Sequence, residues 1–326
     1  MPPSGREFSA RTGRFSPGRS KAGDRREQGP PPTGAKSAPR SGDAEGATRK
    51  TLDRVLSRAG VGSRTVAAEW IREGRVRVNG RVVRDPDVWV DPENDRVLLD
   101  GRVLRPRDRL YVLLYKPRGY LCTREDPEKR PTIYDLVADV KSWVFNVGRL
   151  DLDTSGLLIL TNDTDLGELL TNPAYKVSKT YLVKSSTRLD DEQIQRLREG
   201  VTLSDGVTQP AEVVRLRDSE KYTHLAITIR EGRNRQVRRM LEAVDSKVLK
   251  LVRTHIGPIS IGKLQIGQHR PLSAEEVKTL KDLAEAAAGT GGVAGGSSSS
   301  KTSAAKQRMH QIREESSERW SSHEDD

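Results

Sequence analysis

The chain has one cysteine, Cys122, in 326 residues, so no disulfide can form within it, and a reducing compartment, the cytoplasm, is the expected setting. Its five histidines, His224, His255, His269, His310 and His323, are scattered and lack carboxylate or thiol companions at ligand spacing. No metal site is therefore expected. No apolar run approaches the ~18 residues of a membrane-spanning helix. The first twenty residues have no apolar core of the kind a secretory signal needs, and their glycines and prolines oppose the amphipathic helix of a transit peptide. Neither a GxGxxG turn nor a P-loop occurs, so nothing calls for a nucleotide cofactor. What the chain does have is positive charge, a formal +11. Such a field favours polyanions, and with no membrane segment the expected partner is nucleic acid.

Residues 1–50 carry net +6 and almost no large apolar side chains. They are expected to be a disordered basic tail. From residue 286 onward, "AAGTGGVAGGSSSSKTSAAKQ" is a flexible-linker composition. The middle of the chain keeps the other +6, so the folded part is basic too. Residues 51–97 read as a small module. "TLDRVLSRAG" sets Leu52, Val55 and Leu56 on one helical face, with Gly60 as the stop. "SRTVAAEWIREG" offers Ser63 as N-cap and repeats Val66, Ala67, Trp70 and Ile71 at helical spacing, ending at Gly74. "RVRVNGRVV" alternates about Asn79-Gly80, a strong hairpin signal. Two helices and a hairpin follow. Arg54, Arg58, Arg64, Arg72, Arg75, Arg77 and Arg81 stay on the outside without obvious matching acids nearby, as in an RNA-contacting face. This stretch resembles the S4 RNA-binding domain, which implies contact with structured RNA through phosphates and shape.

Residues 98–108 read as a linker, and 109–285 as a second domain. Its strand candidates are "RLYVLLYK", "WVFNVG", "GLLILTN", "KTYLVKSS", "HLAITIRE" and "VLKLVRTHIG". Its helix candidates are "TDLGELLT", "DEQIQRLREG", "NRQVRRMLEAV" and "SAEEVKTLKDLAEAA". Strands and long helices do not alternate, so the expectation is an α+β fold: a mixed, largely antiparallel sheet with helices packed on it.

"VGRLDLDTSGLLILTND" sets Arg149, Asp151 and Asp153 directly before a buried-strand pattern. Charges at such a junction can face a cleft beside a low-dielectric wall, where a carboxylate needs a cation. Arg149 is one candidate, and "REGRNRQVRRMLEAV" supplies others, among them Arg238. A capping or turn role remains open for each aspartate on these grounds. The stretch is similar to the signature of bacterial ribosomal pseudouridine synthases, the small-subunit and large-subunit group that carries an N-terminal S4 domain. "YKPRGY", "GRLDLDTSGLLILTND", "SKTYLV" and "EGRNRQVRRML" occur in that family's order.

The resemblance implies roles. Asp151 matches the catalytic aspartate, and Arg238 the basic residue that pairs with it and keeps it ionised. Tyr181 matches the tyrosine that packs against the target base. Arg149 matches a position that steers a flipped nucleotide or fills its gap. Lys116 and Pro117 shape the cleft and its loop, with Lys116 counted among the RNA-facing residues. Asp153 falls where the family varies and receives no role; Thr154 and Gly156 are read as turn and packing residues, Cys122 as a bystander. The implied reaction is isomerisation of uridine to pseudouridine in ribosomal RNA, with the large-subunit RNA favoured, by a monomer needing no cofactor and no obligate protein partner. Two rivals are an S4-type ribosome assembly factor without catalysis and a hydrolase using Asp151 and Asp153 as acid and base. The latter is disfavoured, because residues so close in sequence rarely flank a scissile bond from opposite faces.

Overall fold

The computed structural model describes residues 49–105 and 108–289; the expected tails lie almost wholly outside them. The N-terminal module runs β1 (Lys50–Thr51), α1 (Leu52–Arg58), α2 (Arg64–Arg72), β2 (Val76–Val78), β3 (Arg81–Val82), β4 (Trp89–Val90), β5 (Val97–Leu99) and β6 (Arg102–Val103). Ser63 caps α2 by accepting from the Val66 amide at 3.2 Å. Asn79 and Gly80 both take positive φ, 50° and 82°, as a tight right-twisted hairpin requires. Leu52, Leu56, Ala67, Ile71 and Val76 are fully buried together, each large side chain contributing roughly 2 kcal/mol. The hairpin does not stand alone. It joins a four-stranded sheet ordered β3-β2-β5-β6, so the stretch 98–108 read as a linker begins with the end of β5 and all of β6. Its alternation is too short to see, because β6 is two residues long.

The larger part runs β7 (Tyr111–Lys116), β8 (Phe145–Val147), β9 (Ser155–Thr161), α3 (Thr164–Thr171), β10 (Lys179–Ser185), α4 (Asp191–Glu199), β11 (Thr202–Leu203), β12 (Gly206–Val207), β13 (Glu212–Asp218), β14 (Thr223–Ile229), α5 (Gln236–Glu242), β15 (Val248–Ile256), β16 (Ile259–Ser260), β17 (His269–Pro271) and α6 (Ala274–Gly289). The sheet order is β13-β14-β10-β15-β9-β7-β17, with β8 paired to β9 and β16 to β15. Every pairing is antiparallel except β9 with β15. The α+β architecture read from the sequence is the one observed.

The unbroken apolar run of β9 has a plain cause. Leu157 and Ile159 face the core under α3 and α6, while Leu158 and Leu160 face a second core with Ile133 and Val137. A strand covered on both sides needs no polar alternation. A third core packs Val183, Leu225 and Ile227 of the sheet against Ile194 and Leu197 of α4 and Val237, Met240 and Leu241 of α5. The parallel β9–β15 pair requires Gly156: its φ is +120°, and a Cβ there would lie 2.3 Å from the Arg253 carbonyl oxygen.

The end of the long signature is structural. Asp163 caps α3 through the Asp165 and Leu166 amides, and accepts from Arg109 (2.7 Å) and the Tyr111 hydroxyl (2.8 Å). Burial, with Asp163 beside it, pushes the Tyr111 phenol up to about 12. Asp165 pairs with Arg58 of the N-terminal module.

Candidate active site

The loop from Gly148 to Thr154 leaves β8 and enters β9, carrying Arg149, Asp151 and Asp153. The Thr154 amide donates to the Asp151 carbonyl at 3.1 Å, closing a tight turn that sets Asp151 and Asp153 near one another. Lys116, at the end of β7, holds this turn from below. Its ammonium is fully buried and donates to the carbonyls of Pro117 (3.0 Å), Asp151 (3.0 Å) and Thr154 (2.8 Å). Burial drives its pKa below the ordinary lysine value, against the pull of nearby Cys122, Asp153 and Asp151. Lys116 is thus no RNA contact as placed here: it is a tether, its donors all turned onto main chain. The loop-supporting half of the expectation for Lys116 is what the geometry shows.

A cavity of about 500 Å³ opens above this turn. Arg149, Asp151, Leu152, Tyr181, Arg233 and Arg235 are among its walls. Tyr181 comes from β10, between Ile227 of β14 and Arg253 of β15 in register, and is 9% exposed. One rigid central strand thus presents a ring to the cavity, and one anchored loop presents a carboxylate. Arg149 is exposed at the rim. Cys122 also lines the cavity and is more than a bystander: its thiol donates to the Leu150 carbonyl and its sulfur accepts from the Leu150 amide, both at 3.4 Å. Both Thr154 and Gly156 hold the turn and packing roles read from the sequence.

The cation expected on Asp151 is not the one found there. Arg238 pairs with Asp153, at 3.0 Å from its carboxylate and 3.1 Å from its carbonyl. Arg235 instead reaches both carboxylates, 3.5 Å from Asp151 and 3.4 Å from Asp153. The reason is local. Arg235 stands at the N-cap of α5 in a left-handed conformation, φ +47°, which throws its side chain toward the loop tip. Arg238 lies a turn further on, buried against the base of the loop, and also donates to the Val248 carbonyl at 3.3 Å. Burial lowers the Arg238 pKa while Asp153, and more weakly Asp151, oppose it; a guanidinium keeps its proton regardless. Sequence reasoning gave Asp153 a part only in the disfavoured hydrolase reading and assigned no role to Arg235. The only available hint was the two-residue spacing of the aspartates across a turn.

The loop before α5 is built by Glu231, which accepts from Gln236 (2.6 Å), the Gln209 amide (2.9 Å) and Arg233 (3.1 Å). Arg233 also donates to the carbonyls of Gly206 (2.8 Å) and Val207 (2.6 Å), and Arg239 forks onto Asp205 at 2.9 and 3.0 Å. Both residues pin the β11–β12 hairpin beside the cavity. In the N-terminal module the arginines divide. Arg58 pairs with Asp165, Arg64 with Asp53 (2.7 Å), and Arg75 forks onto Asp100 (2.7 and 2.9 Å) over the Trp70 ring. These three are matched by acids, against expectation. Arg54, Arg72, Arg77 and Arg81 are exposed and make no ion pair with the described residues. Among the described residues no cluster of potential metal ligands occurs, and no helix is long and apolar enough to cross a membrane.

The family model for RNA pseudouridylate synthase matches residues 110–243, and that for the S4 domain matches 50–97. The ribosomal large subunit pseudouridine synthase B of Bacillus subtilis (strain 168) is 40% identical over 236 residues, covering 72% of this chain and 96% of that one. An uncharacterized RNA pseudouridine synthase of Aquifex aeolicus (strain VF5) is 43% identical over 230 residues, covering 70% and 92%. A crystal structure of a pseudouridylate synthase aligns with a TM-score of 0.51 at 32% identity, over 71% of this chain and 99% of that one.

Proposed function

Because the chain belongs to the RNA pseudouridine synthase family, we propose that it isomerises a uridine of large-subunit ribosomal RNA, with Asp151 as the reacting carboxylate. The observation that carries the site assignment is the convergence of Asp151 and Tyr181 on one cavity from two independently anchored elements. The choice of large-subunit RNA is supported by the B. subtilis relative's name. A base inside folded RNA must leave its stack to be reached, and about 500 Å³ is in the range of small-ligand pockets. Tyr181 supplies a stacking face that tolerates any base, and half-exposed Leu152 supplies apolar contact beside it. Arg149 and Arg235 give the cavity the positive potential that a phosphate-flanked nucleotide requires.

The reaction breaks the N-glycosidic bond, turns the uracil, and joins its C5 to the ribose C1′, expelling the C5 hydrogen as a proton. Electrons and water balance without a co-reactant, so no cofactor is invoked. Of the module arginines singled out from the sequence, Arg54, Arg72, Arg77 and Arg81 are free to meet RNA phosphates. The enzyme works as a monomer in the cytoplasm. The test is tritium release from ribosomal RNA labelled at uridine C5. Release by wild type and none by Asp151→Asn is expected. Tight RNA binding with no release from either subunit's RNA would favour a non-catalytic assembly factor.

A further inference from the structure

Of the three arginines lining the cavity, Arg233 and Arg235 are paired with protein acceptors, while Arg149 has no hydrogen bond or ion pair among the described residues. Its backbone is the opposite case. A residue's φ and ψ are set by the two planar peptides that flank its Cα, and both planes at Arg149 are held by side chains. The Gly148 carbonyl, in the plane before it, accepts from Asn146 Nδ2 at 2.6 Å. The Leu150 amide, in the plane after it, donates to the Cys122 sulfur at 3.4 Å, and the Leu150 carbonyl accepts from that thiol at the same distance. Gly148 adds a positive φ of 73°, which turns the chain out of β8 just before the arginine.

Both supports come from one body. Residues 121–124 and 131–134 of the β7–β8 connection lie side by side, joined by the Leu121 amide on the Pro131 carbonyl and the Ile133 amide on the Leu121 carbonyl, each at 2.9 Å. Cys122 stands on the first arm. Tyr134 stands on the second and donates its hydroxyl to Asn146 Oδ1 at 2.9 Å, which leaves Asn146 Nδ2 facing Gly148. Burial pushes the Tyr134 phenol above its ordinary value, so it stays a donor. Arg124 covers the Tyr134 ring at 4.1 Å, lies 5.2 Å from that of Trp143 and donates to the Val144 carbonyl at 2.5 Å. Asparagine is depleted in strands, yet Asn146 sits inside β8 between Phe145 and Val147. It is no part of the cavity wall, so its side chain acts on the site only through the loop. We propose that Asn146, oriented by Tyr134, is a positioning residue that presets the backbone of Arg149, so that its guanidinium meets the nucleotide entering the cavity without first being ordered. This rests on the cavity being the uridine site, and it extends that reading to two residues outside the four signature stretches.

The experiment uses the full chain and a large-subunit ribosomal RNA transcript tritiated at uridine C5, with single-turnover tritium release and RNA affinity measured separately. The proteins are wild type, Asn146→Ala, Arg149→Ala, the double variant of these two, and Asp151→Asn. Ordering one residue's backbone costs about tenfold in an equilibrium constant, so Asn146→Ala is expected to slow the rate about tenfold. RNA affinity should stay within about twofold, because the wider basic surface carries it. An effect that passes through Arg149 vanishes once Arg149 is gone, so the double variant should be no slower than Arg149→Ala alone. A rate for Asn146→Ala within about twofold of wild type overturns the proposal. So does a further loss of the same size on top of Arg149→Ala, because Asn146 would then act by another route. Tyr134→Phe removes one oxygen and is expected to slow the rate about threefold, with the same dependence on Arg149; it carries the comparison where Asn146→Ala unfolds. An active wild type with inert Asp151→Asn upholds the reading of the site whatever Asn146 does. An inert wild type overturns both.

Discussion

Lys116→Met separates the tether role from an RNA-binding role for the lysine of the "YKPRGY" stretch. Methionine nearly preserves the volume of the stem and removes the ammonium. Three hydrogen bonds from a charged donor disappear, to Pro117, Asp151 and Thr154. Bonds to charged groups contribute about 1.5–3 kcal/mol each. Two effects offset part of that sum. Removing the ammonium relieves the desolvation of a fully buried charge, an effect of several kcal/mol. The Asp151 carbonyl also keeps its second partner, the Thr154 amide at 3.1 Å. The net expected loss is about 2–4 kcal/mol, within reach of the ~5–15 kcal/mol stability of an ordinary domain, so the variant should fold.

The functional effect should be larger than the thermal one. Released from Lys116, the 151–154 turn keeps its own hydrogen bond, the Gly119 amide on the Leu152 carbonyl at 2.8 Å and the arginines above it, but loses its support from below. A displacement of about 1 Å at a reacting group can lower a rate by about 100-fold. The assay is single-turnover tritium release alongside RNA binding by filter retention. A rate lowered about 100-fold with RNA affinity within twofold of wild type is expected. Weakened RNA binding with an unchanged turnover of bound RNA would refute the reasoning, because it would place the ammonium on a phosphate.

Three further outcomes follow from other parts of the molecule. Gly156→Ala should abolish tritium release and lower the unfolding midpoint sharply, since its Cβ would meet Arg253 main chain at 2.3 and 2.5 Å and φ is +120°; a soluble variant of wild-type Tm would sink the close-approach argument. Lys179 is pulled from 10.5 to about 8 by burial and by Arg253. Below about pH 8 folded and unfolded chains both carry its proton, and burying that charge lowers stability; between about pH 8 and 10.5 only the unfolded chain carries it, so stability rises with pH. Lys179→Met should therefore be more stable than wild type at pH 7 and lose that advantage by pH 10.5, measured by urea unfolding; a constant gap would show that the lysine is not titrating there. In the N-terminal module, replacing Arg77 and Arg81 together by glutamine should weaken RNA binding and reduce the salt slope by about 2, one for each phosphate no longer neutralised. Replacing Arg75 should instead lower thermal stability by breaking its fork onto Asp100, and an equal salt-slope change would contradict that division.

The parts of this molecule that could be read from sequence are those decided within one segment. The strand candidates announced themselves as apolar runs because most are covered on both faces, and β9 and β14 are the extreme cases, with every residue buried. β13 did not: its "EVVRLRD" alternates charge with aliphatics because it is an edge strand with one wet face. The hairpin β11–β12 was equally invisible, since its strands are two residues long and arginines from the α5 region supplement its own ladder. The same rule governs the charges. Looking for acids within the 54–81 stretch itself misjudged Arg58, whose partner Asp165 lies 107 residues on, and Arg75, whose partner Asp100 lies 25 on, beyond the stretch. At the site, the residue types needed for the chemistry were legible in the signatures, but their pairing was not. Arg235 meets Asp153 across 82 residues of chain, and its reach depends on a left-handed N-cap that no periodicity marks. Arg238, the residue the motif singled out, is directed elsewhere by its place one turn deeper on α5. Spacing in sequence thus fixes which groups arrive at this cavity. The backbone at the start of α5 fixes which carboxylate each of them neutralises.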